Sequence, residues 1–149
     1  MQELLEILDP DLIYDRHEII DGVIYITASS GKKSCKCPYC GAESSSVHSA
    51  YQRIFQDLPI QGLNVNITLN CRKMFCKNDD CSHTTFAERF LYLKKNSKKT
   101  ERLKDQIINI ALETSSVAAS DTLGREAIKA SKSTICLLLK KIVTPVDKG

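Results

Sequence analysis

The order of apolar and polar residues predicts a short helix and then a β-hairpin at the start of the chain. Residues 1–8 have the composition of one or two helical turns. The β-rich runs at residues 12–20 and 23–27 flank the dipeptide Asp21-Gly22. Asp-Gly in this position is a strong signal for a tight turn, so the two runs are expected to pair as antiparallel strands.

A second pair of strands is predicted farther along the chain. Residues 51–58 read as a strand and residues 59–62 as a turn. In residues 65–71 every second side chain is apolar, which is the period of a strand with one buried face. This hairpin lies between two groups of cysteines and would bring them together. Cys71 has the parity of the buried positions and is expected in the core.

The pattern becomes helical after residue 94. A helix is predicted from near Thr100, a shorter one over residues 116–123, and a third over about residues 133–143, which Pro145 ends. The apolar face of the first helix consists of Leu103, Ile107, Ile110, Ala111 and Thr114. That of the third consists of Ile135, Leu138, Leu139 and Ile142. Three helices in this order suggest a helix-turn-helix, and the alternative is an ordinary three-helix bundle.

Charge is divided unevenly between the start of the chain and the remainder. Residues 1–31 hold seven acids and one base, for a net charge of −6, whereas the remainder holds twenty bases and eleven acids, for a net charge of +9. This division favours binding of the later part to an anionic polymer, although a solvated surface of uneven charge would give the same numbers. No stretch approaches the roughly 20 apolar residues of a membrane helix, and the acidic N-terminus lacks the basic start of a signal peptide. We therefore expect a cytoplasmic protein that does not bind membranes.

The cysteines indicate a metal site. Seven cysteines in a reducing compartment favour metal binding or free thiols over disulfides. Cys37 and Cys40 belong to the sequence Cys-Pro-Tyr-Cys-Gly, which is typical of a zinc knuckle whose turn aims backbone N–H groups at the sulfurs. Cys76 and Cys81 form a wider pair, and the predicted hairpin brings the two pairs together. Four thiolates at about 2.3 Å make a closed structural Zn²⁺ site, so these four cysteines are the predicted ligands.

Other interpretations of these residues stay open. Cys35 could replace Cys37 as a ligand, and His83 could compete for the metal. The cysteines could also be buried and inert or form a redox dithiol, and four thiolates suit iron as well. Because the region is small, metal binding is expected to be coupled to folding, so that a chelator would unfold residues 35–90.

The basic residues near the predicted helices are candidates for DNA binding. A recognition helix presents its N-terminal residues to the major groove, so Lys132, Ser133 and Thr134 are the candidates for base contacts. Phosphate contacts are expected from Lys98, Lys99, Arg102, Lys140 and Lys141. A flexible, solvated linker is the alternative for the basic run that begins at Lys94.

Together these elements predict an α+β fold. A small N-terminal β-hairpin and a four-cysteine zinc ribbon would be followed by a three-helix helix-turn-helix domain. The predicted divisions are residues 1–33 for the N-terminal helix and hairpin, residues 34–93 for the zinc ribbon, and residues 98–144 for the helix-turn-helix.

Several short motifs follow one another along residues 35–143. They are Cys37-Pro38-Tyr39-Cys40-Gly41, Val47-His48-Ser49-Ala50-Tyr51, Asp57-Leu58-Pro59, Arg72-Lys73-Met74-Phe75-Cys76, Cys81, and Thr85-Phe86-Ala87-Glu88-Arg89. In this order they resemble the N-terminal zinc-binding region of bacterial ISL-three insertion-sequence transposases. The helices after Thr100, with Ser133-Thr134 at the start of the last, resemble that family's helix-turn-helix.

The resemblance implies a DNA-binding role without catalysis. In that family these regions bind the terminal inverted repeats of the element, and a later RNase-H-like domain cuts and joins DNA with three acidic residues and divalent metal. The chain ends where that domain would begin, so we expect an N-terminal portion that is not an enzyme on its own. Its expected partner is double-stranded DNA at transposon ends in the bacterial cytoplasm and nucleoid, with room for a homodimer. Asp57 and Glu88 are expected to fix turns or pair with arginines.

Two further functions stay open at this stage. The chain could be a stand-alone DNA-binding regulator, such as a repressor of a related element. It could also be a protein-interaction zinc ribbon whose partner surface includes Ile108, Leu112 and Leu137.

Overall fold

The computed structural model describes residues 1–113 and 132–143, with side chains for residues 1–112 and 134–139. Within these ranges more residues belong to strands than to helices. In chain order the elements are α1 (Gln2–Leu8), β1 (Leu12–Ile20), β2 (Val23–Ser30), β3 (Cys35–Lys36), β4 (Glu43–Ser44), β5 (Val47–Ile60), β6 (Leu63–Phe75), β7 (Thr85–Ala87), α2 (Glu101–Glu113) and α3 (Lys132–Val143). None of the helices in this part of the chain is both long and apolar enough to cross a membrane.

Two hairpins with the same type of turn supply the main strands. In the β1–β2 hairpin Asp21 and Gly22 have φ values of 50° and 78°, and in the β5–β6 hairpin Gln61 and Gly62 repeat these values. Positive φ at both central residues defines the type I′ turn, whose twist suits paired strands and which favours glycine at the second position. The hairpin predicted from Asp21-Gly22 is confirmed.

Strand β6 is the centre of a five-stranded sheet. The strand order is β1-β2-β6-β5, and β7 pairs with the end of β6 beyond β2. β2 runs parallel to β6, with Ile26 opposite Ile67, whereas the β5–β6, β1–β2 and β6–β7 pairs are antiparallel. The predicted domain boundaries stay predictions, but strands on both sides of residue 33 share this sheet.

The main core lies on one face of the sheet. Its centre is β6, in which Val65, Ile67, Leu69 and Cys71 are buried at every second position, as the alternation predicted. Phe55 of β5 and Leu5 of α1 join the same cluster. Residues 90–93 add further buried side chains, Phe90, Tyr92 and Leu93. The placement of Cys71 in the core is confirmed.

The predicted fold class is wrong in two respects: the share of strand is larger than predicted, and the predicted three-helix C-terminal domain is not found in the described residues. The described residues are dominated by seven strands, five of them in one sheet, and of their three helices α1 precedes the sheet. They contain no three-helix helix-turn-helix domain, and the helix predicted over residues 116–123 lies outside them. The sheet was underestimated because a parallel pair such as β2–β6 joins strands that are far apart in sequence, and local patterns do not reveal such pairing.

Helices α2 and α3 pack against each other through the faces that the periodicity predicted. Leu103 and Ile107 of α2 are buried against Ile135 and Leu138 of α3. Thr100 begins α2 as its N-cap, because its Oγ1 accepts a hydrogen bond from the Leu103 N–H at 3.3 Å. This small cluster also includes Leu58 of β5, so the helices continue from the edge of the sheet.

A buried ion pair joins the ends of three strands. Arg72 of β6 donates through Nε and Nη2 to the two Glu88 oxygens at 3.0 and 3.1 Å, and Ser30 at the end of β2 donates to the same carboxylate at 2.8 Å. Arg72 Nη2 also donates to the Lys32 carbonyl at 2.7 Å. Burial alone would raise the pKa of Glu88, but these hydrogen bonds lower it below its ordinary value.

A second carboxylate attaches α2 to the sheet. Asp57 of β5 accepts hydrogen bonds from Thr100 Oγ1 at 2.7 Å and from Arg102 Nε at 2.9 Å. The backbone of residues 98–100 also pairs with the edge of β5, since the Gln56 N–H donates to the Lys98 carbonyl at 2.9 Å. Asp57 and Glu88 therefore pair with arginines, as the sequence predicted.

Replacing Glu88 by glutamine should destabilise the fold. The variant leaves the Arg72 guanidinium without its counter-charge, and removal of one partner of a buried ion pair costs about 3 kcal/mol in the free energy of unfolding. Because folding lowers the pKa of Glu88, this difference should be full above the ordinary carboxyl pKa of 4.5 and should shrink as the pH falls below it. Denaturant titrations at several pH values would measure it.

The matched control is Glu101→Gln. Glu101 pairs with Lys94 and Lys104 near the surface, where its side chain is 30% exposed. Solvent screens such pairs, so this variant should cost less than about 1 kcal/mol. Equal effects of the two substitutions would contradict a structural role for the Arg72–Glu88 pair.

Candidate metal centre

Four cysteines are carried by two loops at one end of the sheet. Cys37 and Cys40 lie between β3 and β4, where Gly41 takes a positive φ of 80° and donates its N–H to the Cys37 carbonyl at 2.8 Å. Cys76 directly follows β6, and Cys81 precedes β7. Pairing of β7 with the end of β6 folds the second loop back on itself and closes it beside the first.

The four sulfurs form a compact group. The Sγ atoms of Cys37, Cys40, Cys76 and Cys81 all lie within 4.8 Å of one another. The Cys37–Cys81 and Cys40–Cys76 sulfur distances are 3.9 and 3.5 Å. A tetrahedron of sulfurs about 2.3 Å from a zinc ion has edges of about 3.8 Å, so this spacing fits a four-thiolate zinc site.

Backbone N–H groups point at three of the sulfurs. Each comes from the residue two positions after the cysteine: from Ala42 to Cys40, from Asn78 to Cys76, and from His83 to Cys81, the last at 3.4 Å. Such donors stabilise thiolates and orient metal ligands. The Cys37–Cys40 turn was predicted to aim N–H groups at its sulfurs, and the donor from Ala42 to Cys40 agrees with that prediction. The donors to Cys76 and Cys81 belong to the other loop, for which none was predicted.

The thiols influence one another's ionisation. The Ala42 N–H lowers the pKa of Cys40 to about 6. The Asn78 N–H also lowers the pKa of Cys76, but burial and the neighbouring thiols of Cys40, Cys81 and Cys37 raise it to about 12. Four sulfurs at this spacing therefore resist ionising together, and a divalent cation between them would remove that resistance.

The four cysteines lie beside a small apolar cluster, to which Cys37 itself belongs. Cys35, Cys37, Met74 and Phe86 are buried together, and the partly buried Cys76 and Cys81 pack against them. This cluster is separate from the main core beneath the sheet. The loops therefore depend on few apolar contacts of their own.

The two alternative ligands lie outside the sulfur group. Cys35 is buried beside Arg72, with its Sγ 3.8 Å from Nη2. His83 stacks its ring on Tyr39, with ring centroids 3.5 Å apart, and its Nδ1 lies 3.0 Å from the Ser82 hydroxyl. Within the part of the chain that the structure describes, the cluster suited to a metal contains only the four predicted cysteines.

The structure separates the predicted DNA-binding residues. The Lys98 side chain is exposed and that of Lys99 half-buried, on the segment paired with β5. The guanidinium of Arg102 forms an ion pair with Asp57, so its charge is already neutralised by a carboxylate of the same chain. Thr134 is half-buried in α3. The remaining candidates have side chains outside the described residues: Lys132, Ser133, Lys140 and Lys141.

The aromatic pair of Tyr39 and His83 was not predicted from the sequence. Tyr39 stands between two predicted ligands and His83 follows the last by two residues. Once the four sulfurs are placed on one ion, the loops that carry the two rings lie side by side. The spacing of the cysteines was therefore the signal that could have found the pair.

Removal of the metal should loosen the two loops and leave the sheet intact. The expectation that a chelator would unfold residues 35–90 is revised, because Phe55, Ile67 and Leu69 belong to the main core. We expect faster amide hydrogen exchange in residues 35–44 and 76–87, with protection retained in the centres of β5 and β6. Exchange of β5 and β6 at the same rate as the loops would contradict this.

A serine at Cys40 should abolish stoichiometric zinc binding, since the site would lose one of four thiolates. Zinc bound per purified chain is the measurement. The control is Cys35→Ser, which changes a cysteine outside the sulfur group and should leave about one ion per chain. Loss of zinc from the control alone would show that Cys35 is a ligand.

Comparison with known families agrees with this geometry. Residues 33–81, about a third of the chain, match the family model described as the zinc-finger of transposase IS204/IS1001/IS1096/IS1165. Comparisons with curated proteins and with solved structures gave no match. The matched span contains all four clustered cysteines and ends at Cys81. Residues 33–81 are therefore similar to the zinc-ribbon region of ISL-three transposases.

Proposed function

We propose that this chain is the DNA-binding N-terminal part of a transposase, and that it recognises the terminal inverted repeats of its element in double-stranded DNA. In this proposal Cys37, Cys40, Cys76 and Cys81 bind one Zn²⁺ ion. The observation that carries the proposal is the four-sulfur group inside a segment that matches a transposase zinc-finger. Catalysis would belong to another part of the transposase.

The role of the zinc ion in this proposal is structural. Four thiolates complete a tetrahedral shell and leave no open position for a substrate or an activated water. The ion would instead fix the relative position of the loops at residues 37–40 and 76–81. The carboxylates of Asp57 and Glu88 are likewise used structurally, by Arg102 and Arg72.

The charge of the zinc ribbon and the segment after it supports a polyanionic partner. Residues 32–104 hold fourteen bases and six acids, for a net charge of +8. Two of the six acids, Asp57 and Glu88, are buried and paired with arginines. Without these two ion pairs, twelve bases and four acids remain, so the net charge stays at +8, as expected for a surface that neutralises phosphates.

A gel-shift titration tests the proposal. The zinc-loaded full chain should bind a duplex carrying the element's terminal repeat more tightly than a scrambled duplex of the same length and composition. Chelation or Cys40→Ser should weaken the specific complex more than the nonspecific one, because the loops would lose their fixed position. Equal affinity for both duplexes, or unchanged specificity without zinc, would contradict the proposal.

Lys98 should contribute one phosphate contact. Its side chain is exposed while its backbone carbonyl is held by Gln56, so Lys98→Gln should change the surface without changing the fold. We expect uniformly weaker DNA binding and a decrease of about 1 in the slope of log affinity against log salt. The control is Arg16→Gln, in the acidic N-terminal hairpin, which should leave the slope unchanged. Equal slopes for Lys98→Gln and the unsubstituted chain would show that Lys98 does not contact a phosphate.

A further inference from the structure

A concave space, here called the ribbon cavity, lies beside the proposed zinc site. It has a volume of about 650 Å³. Its walls come from the two cysteine loops, from β5, β6 and β7, and from residues 93–96. The side chains that matter for its chemistry are Tyr39, Arg53, Lys73, His83, Arg89 and Lys95.

The ribbon cavity has a positive lining. Four cationic residues contribute to it, and its one acidic residue is Glu88. Both Glu88 oxygens accept hydrogen bonds from Arg72, so the acid does not offset those cations. Lys73 and Arg89 are exposed, whereas Arg53 is fixed by hydrogen bonds to the Lys94 and Ser97 carbonyls at 2.8 and 3.1 Å. The lining therefore favours an anionic ligand.

Aromatic rings form another part of the wall. Tyr39 and His83 stack with 7° between their planes, and the Arg89 guanidinium carbon lies 6.0 Å from the centroid of the Tyr39 ring. Tyr39 remains 46% exposed. An accessible aromatic ring in a cavity with a cationic lining is a combination by which proteins bind unpaired nucleotides, with the base on the ring and the phosphate on the cations.

The size of the ribbon cavity selects an unpaired nucleotide over a duplex. Pockets of about 300–1,000 Å³ enclose one small molecule. A duplex keeps its bases stacked and paired inside and reaches a concave site only with its outer phosphates. An unpaired nucleotide can place both its base and its phosphate inside the same space.

From these observations we infer that the ribbon cavity binds one unpaired nucleotide of a DNA strand. Its base lies against the Tyr39–His83 pair, and its phosphate contacts Arg89 and Lys73. The inference rests on the proposed function, since it specifies which form of DNA the protein prefers. Tyr39 lies between two proposed ligands and His83 follows a third, so zinc fixes the aromatic wall.

The experiment compares two duplexes that differ at one position. Both carry the same repeat sequence, and one also carries a single unpaired 2-aminopurine nucleotide. The zinc-loaded full chain should bind the second duplex about tenfold more tightly, and stacking in the cavity should quench the 2-aminopurine fluorescence. Tyr39→Ala should abolish both the preference and the quenching, and Tyr39→Phe should retain them.

Tyr25→Ala is the matched control, because Tyr25 lies on β2 and is 45% exposed, nearly as much as Tyr39. Zinc bound per chain is measured for every variant, so that damage to the metal site is recognised. Duplex binding without any preference for the unpaired nucleotide would overturn this inference and leave the proposed function standing. Absence of duplex binding would instead overturn the proposed function.

Free adenosine monophosphate distinguishes a strand site from a small-molecule site. A site for a nucleotide within a strand gains affinity from the adjoining duplex, so the free nucleotide should bind at least a hundredfold more weakly than the oligonucleotide. Comparable affinity for the free nucleotide would overturn the assignment to DNA. Arg89→Gln should reduce the preference for the unpaired nucleotide, and an unchanged preference would remove Arg89 from the phosphate contacts.

Discussion

The pairing of β6 on both of its sides is the constraint on which the structure depends. β5 occupies one side, and β2 and then β7 occupy the other. The parallel β2–β6 pair brings the N-terminal hairpin into the main core, while the β6–β7 pair closes the second cysteine loop. Because Cys76 directly follows β6, the register of this strand also sets the position of the sulfur group.

Two buried carboxylates connect elements that are distant in the sequence. Glu88 connects the ends of β2 and β6, and Asp57 connects β5 to the start of α2. Each carboxylate is paired with an arginine, which keeps the desolvated charge satisfied. The same pairing leaves the remaining lysines and arginines of the zinc ribbon without these two opposing charges, which is favourable for binding phosphates.

The sequence was sufficient where the signals were local. Asp21-Gly22 predicted the first hairpin, the alternation in residues 65–71 predicted the buried face of β6, and the cysteine spacing predicted the group of four sulfurs. It was insufficient where distant segments meet. Nothing near Ile26 indicates that it lies opposite Ile67, so the size of the sheet and the share of strand were underestimated. The prediction of a three-helix helix-turn-helix was wrong because helical periodicity indicates which face of a helix is buried, but not which elements pack against that face.

The parallel pairing of β2 with β6 has a consequence for the order of folding. During synthesis on the ribosome, β2 emerges long before residues 64–70 of β6. The β3–β4 hairpin with its cysteines and the whole of β5 lie between them in the sequence. Until β6 arrives, the inner edge of β2 has unpaired backbone groups and the apolar side chains of Ile24 and Ile26 lack their cover. While about forty further residues are translated, the nascent chain therefore exposes an unpaired apolar strand that can aggregate. Chaperones that bind exposed apolar segments would bind the chain at β2.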